Sequence, residues 1–74
     1  SQLRPVRLGS NLYQLLEHDY EFEVELVGLY KAASEHCART GDHDGRLFFE
    51  ALLGVEQEHA MGLDTWMQVL QQQQ

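Results

Sequence analysis

Three side chains in this 74-residue chain have the types and spacing to hold a metal ion: Glu23, Glu56 and His59. Glu56 and His59 are three residues apart. On a helix that offset leaves them on neighbouring positions of one face, so both can reach a single ion. Glu23 falls between Phe22 and Leu26, and Glu56 and His59 fall between Val55 and Leu63, within stretches of helical apolar periodicity. A carboxylate placed among apolar residues has to be paired, protonated or bound to a cation. Hard carboxylate oxygens with imidazole nitrogen suit iron or manganese, and soft thiolates are lacking in this set.

The elements that must position these groups are two long helices. Apolar residues recur at three- and four-residue steps at Leu12, Leu15, Leu16, Phe22, Leu26, Val27, Leu29, Tyr30, Ala33 and Cys37, which predicts a helix over 11–38. Ser10 and Asn11 are N-cap candidates, and residues 1–9 read as an irregular lead-in around Arg4-Pro5 and Gly9. Thr40-Gly-Asp-His-Asp-Gly45 is the internal turn signal, giving a turn over 39–45, with Gly41 as the residue after the helix and Asp42 or Asp44 as the next cap. Phe48, Leu52, Val55, His59, Leu63, Trp66, Met67 and Leu70 predict a second helix over 46–71, and 72–74 a tail. The expected fold is all-α, an antiparallel two-helix hairpin occupying 10–71. Counted from the turn at 1.5 Å per residue, Glu23 lies at ~24 Å and Glu56 and His59 at ~18 and ~22 Å, so the three groups reach nearly one level.

Twelve acidic against five basic residues, a net charge of −7, argue against a nucleic-acid binder. No apolar run is long enough to cross a bilayer. The single cysteine, Cys37, cannot form an internal disulfide and reads as a small core residue. A reducing cytoplasm is the expected setting. Each apolar stripe is too wide for one partner helix, and a chain this small needs metal or association to hold a core. A homodimer forming a four-helix bundle is therefore expected. Two copies would bring together four carboxylates and two imidazoles, the ligand set of a di-iron bundle. Tyr30, seven residues after Glu23, could approach the site or be core. Asp19, one turn before Glu23, could support a ligand, line an approach or sit on the surface. Met61 and Met67 read as packing, with an axial thioether for haem as the alternative.

The run Leu16-Glu-His-Asp-Tyr-Glu-Phe-Glu-Val-Glu25, with Tyr30-Lys-Ala-Ala, Gly41-Asp42, Arg46-Leu-Phe-Phe-Glu50 and Glu56-Gln-Glu-His59, resembles the C-terminal half of a bacterioferritin. The resemblance spans about residues 5–70. It implies a ferritin-like bundle, a di-iron centre and oxidation of Fe(II) by dioxygen or peroxide. By this resemblance Glu56 bridges two irons, Glu23 and His59 are terminal ligands, and Tyr30 matches a tyrosine often found near the site. Manganese is an alternative metal. No haem is expected from this half, since Gln57 occupies the place equivalent to the family's haem methionine. Two of the family's four helices have no counterpart here. The chain is either part of a four-helix subunit or a two-helix protein that completes the site by dimerising, as encapsulated ferritins do inside an enclosing shell. The stretch Glu56 to Trp66 also resembles theirs. Two other functions fit the same pattern: a rubrerythrin-like peroxidase or related di-metal oxidoreductase, and a non-enzymatic helical subunit of a larger assembly.

Overall fold

The computed structural model describes residues 8–73, with side chains from residue 11 onward. They form two helices, α1 (Leu8–Thr40) and α2 (His43–Gln72), packed antiparallel along their length. The described residues contain no strand. Most of the lead-in expected over 1–9 lies outside the described residues, although Leu8 and Gly9 are already helical. No helix among the described residues is long and apolar enough to cross a membrane.

The turn is tighter than expected, because two residues suffice to reverse the chain. Asp42 N–H bonds the Cys37 carbonyl at 2.8 Å and Gly41 N–H faces the Ala38 carbonyl at 3.4 Å. These two contacts form a Schellman closure of α1. It requires a left-handed residue, and Gly41 supplies it at φ 77°. Asp42 then caps α2, its Oδ1 accepting from Gly45 N–H at 2.9 Å. The chain packs so closely here that a Cβ on Gly45 would collide with the Asp42 carboxylate and lie 2.9 Å from Cys37 Sγ. Burial, reinforced by Asp42, pushes the Cys37 thiol above its usual range. Gly41→Ala should destabilise the fold by about 1–2 kcal/mol, the cost of a left-handed non-glycine residue. Chemical denaturation would show this as a lower midpoint at unchanged slope.

The helices meet along a seam of three- and four-residue steps, Tyr13, Leu16, Tyr20, Glu23, Val27, Tyr30, Ser34 and Cys37 in α1, and Arg46, Phe49, Leu53, Glu56, Ala60, Leu63, Met67 and Leu70 in α2. This is the repeat of a coiled-coil interface. At its open end Gln71 Nε2 donates to Tyr13 Oη at 3.0 Å. At its closed end lie Cys37 and Ser34, which alone among the described residues are buried. A single layer of two helices encloses no core. The radius of gyration is 17.6 Å, against about 11 Å for a compact domain of this length.

The seam uses only part of the apolar pattern. Leu12, Leu15, Phe22 and Leu29 of α1 and Phe48, Val55 and Trp66 of α2, expected to face inward, are 44–63% exposed. Each precedes a seam residue by one position, about 100° around its helix. In antiparallel helices that offset carries both sets to the same side of the hairpin. One broad face is therefore apolar, while the opposite face carries Glu17, Glu21, Lys31, Glu50, Gln57 and Asp64. Met61, expected to pack, is 70% exposed on that opposite side.

Candidate metal centre

Glu23 and Glu56 occupy seam positions on facing helices, midway along the hairpin. Antiparallel packing brings their levels together, and the three-residue step from Glu56 places His59 beside both. His59 Nδ1 lies 3.8 Å from Glu23 Oε1 and 3.8 Å from Glu56 Oε2. One ligand atom from each of the three residues can be chosen within 4.8 Å of the others. Atoms coordinated to one ion at ~2.0–2.2 Å are at most ~4.4 Å apart, so small side-chain rotations close the set around a cation. At 3.8 Å the imidazole makes no hydrogen bond to either carboxylate.

The two carboxylates are mostly withdrawn from water, with side chains 18% and 16% exposed. Glu23 Oε2 and Glu56 Oε2 are buried without a hydrogen-bond partner. Acceptor oxygens in that condition lose hydration and gain nothing in return, unless a cation binds them. This orphaned pair is where the residues fit a metal. His59 is 67% exposed. It sits one helical position off the seam, on the apolar face, and reaches the carboxylates from that side.

Tyr30 is positioned differently from the triad. It is half-buried in the seam, stacked on Phe49 at a ring-centroid distance of 6.3 Å, and ~10.5 Å along α1 from Glu23 at seven helical rises. His18, His36 and His43 are exposed, and His43 lies beside Arg46 in the first turn of α2, 3.1 Å from its guanidinium.

The structure places Asp19 in the surroundings of the centre and adds Gly62, which the sequence pattern missed. A groove of about 470 Å³ opens beside the centre on the apolar face, lined by Asp19, Glu23, Glu58, His59, Gly62, Leu63 and Trp66. Gly62 carries no side chain to draw attention to it. Its signal is positional, since it falls in the repeat Val55, His59, Gly62, Trp66.

The chain is similar to bacterioferritins and a bacterial ferritin over most of its length. It is 33% identical over 66 residues to a bacterioferritin of Brucella melitensis, a match covering 89% of this chain and 41% of the relative. It is 34% identical over 64 residues to a bacterioferritin of Rhodobacter capsulatus, covering 86% and 40%. A bacterial ferritin of Synechocystis is 28% identical over 72 residues, covering 96% and 46%. The chain thus spans less than half the length of these curated relatives. No protein-family model and no solved structure matches it.

Proposed function

We propose that this bacterioferritin-like hairpin binds Fe(II) and supports its oxidation for storage or detoxification, at a di-iron site completed by a second copy of the chain. The observation that carries this reading is the pair of buried, unpartnered carboxylate oxygens of Glu23 and Glu56 flanking the His59 imidazole. The apolar face beside them supports assembly, since exposed patches of this kind mark association surfaces. The bacterioferritin relatives support iron as the metal.

Each residue has a distinct task. Glu56 would be shared between the two ions, and Glu23 and His59 would hold one of them together, from the facing helix and from the groove side. Carboxylates suit the work because they are hard donors that hold both Fe(II) and Fe(III). Two Fe(II) ions held there would supply one electron each, enough with two protons to reduce dioxygen to hydrogen peroxide and leave Fe(III) as the product. The apolar residues around the centre, Phe22, Leu26, Leu52 and Val55, exclude bulk water once the face is covered. Tyr30 stands outside the coordinating set, and any part it plays is at a distance. Manganese could occupy the same donors. The setting is cytoplasmic, within a larger iron-storing assembly or shell.

A docking subunit without metal would show the same apolar face, but it would have no use for two orphaned carboxylates. Native mass spectrometry after anaerobic Fe(II) loading separates the two. We expect an even-numbered oligomer carrying one iron per chain. A metal-free oligomer would establish the docking reading in its place, and a metal-free monomer would show that the second half of the site comes from elsewhere.

A further inference from the structure

We propose that Asp19 and Gly62 form the port through which a hydrated divalent cation reaches Glu23, Glu56 and His59. This rests on the preceding reading that a second hairpin covers the apolar face. Covering that face creates an access problem. The α1 column on it runs Leu12, Leu15, Asp19, Phe22, Leu26 and Leu29, and the α2 column runs Phe48, Leu52, Val55, His59, Gly62 and Trp66. A hydrated ion crosses such a wall poorly, because apolar side chains offer nothing in exchange for its water.

Each column has one break besides the centre itself. In α1 it is Asp19, the column's only charged residue, and in α2 it is Gly62, the column's only residue without a side chain. The two breaks coincide. Glu23 and His59 face each other across the hairpin. One turn further toward the open end, α1 arrives at Asp19 and α2 at Gly62, because antiparallel helices number in opposite directions. Both residues line the groove that also exposes Glu23 and His59. A Cβ built on Gly62 meets nothing within 4 Å, so the notch is open space. Toward the turn the columns continue with Leu26, Leu52 and Val55, all of them bulky apolar residues. The carboxylate of Asp19 attracts the cation and exchanges for one of its waters, and Gly62 leaves the width for the remainder. His59, exposed on the groove side, is the first ligand met.

The test follows Co(II) binding to the assembled protein by stopped flow, using the absorption of the bound ion. We expect Gly62→Leu to slow association by about tenfold, and Asp19→Asn to slow it by about threefold with a weaker salt dependence. The number of ions bound at equilibrium should be unchanged in both. Gly54→Leu is the control, since its Cβ position is equally open but lies on the opposite face; it should bind at the parent rate. Asp19→Asn keeps the side-chain shape, so it remains informative if Gly62→Leu disturbs assembly. Parent-like association in both port variants would overturn the port while leaving the metal centre standing. Failure of the parent itself to bind Co(II) would instead remove the centre, and the port with it.

Discussion

Replacing Glu56 by alanine is expected to abolish rapid Fe(II) oxidation and to lower metal occupancy. Substitution of outer-sphere partners commonly costs about 10–100-fold in metal affinity or activity, and loss of a bridging carboxylate should cost at least the upper end of that range. Oxidation is followed by the rise of ferric absorbance after mixing Fe(II) with aerated buffer, and occupancy by metal analysis. Unchanged oxidation would sink the assignment. A companion substitution separates function from structure. Glu56 lies on the apolar seam, with one oxygen buried and unpartnered. Glu56→Leu should therefore leave the metal-free protein at least as stable as the parent, as replacing buried charge by apolar side chains often does. A seam carboxylate that served only folding would give the opposite result.

Metal binding should stabilise the protein strongly. Without metal, Glu23 and Glu56 present buried acceptors with no partner, and a second copy would bring two more carboxylates to the same level. A cation relieves both costs and binds only the folded form. At a free-metal concentration of 100 times Kd, the gain is about 2.7 kcal/mol. For a domain of this size, where each kcal/mol shifts Tm by about 4–8 °C, the expected rise is about 10–20 °C. Thermal melts with and without Mn(II), which avoids oxidation, would measure it at fixed protein concentration. Equal melting temperatures would count against a shared buried centre, and Glu56→Leu should show no rise.

Much of this protein is determined locally, and so was legible in the sequence. Three- and four-residue apolar spacing specifies helices, because helix formation depends on neighbours within a turn or two. Thr40-Gly-Asp specifies the reversal, because only a residue tolerant of positive φ closes a Schellman turn, and an aspartate after it caps the next helix. Glu56 and His59 share a face by their spacing alone. Equal distances from one turn put Glu23 at their level once the helices run antiparallel.

What the sequence left undetermined was which side of each helix faces the other. Two apolar columns run along each helix one position apart, and periodicity weights them equally. Leu12, Leu15, Phe22, Leu29, Phe48, Val55 and Trp66 are large apolar residues, yet they lie outside the seam. Tyr13, Tyr20, Ser34 and Ala60, none of them in the expected stripes, lie within it. The tight turn decides this. With two residues between the helices, the closed end must pass Cys37 against Gly45, and small side chains there set the rotation of both helices. That rotation buries the Glu23 and Glu56 carboxylates, turns His59 out to the groove and leaves the large apolar residues facing the space where a further pair of helices would pack. Only packing across tens of residues could make that choice, because no local spacing distinguishes two helical faces 100° apart.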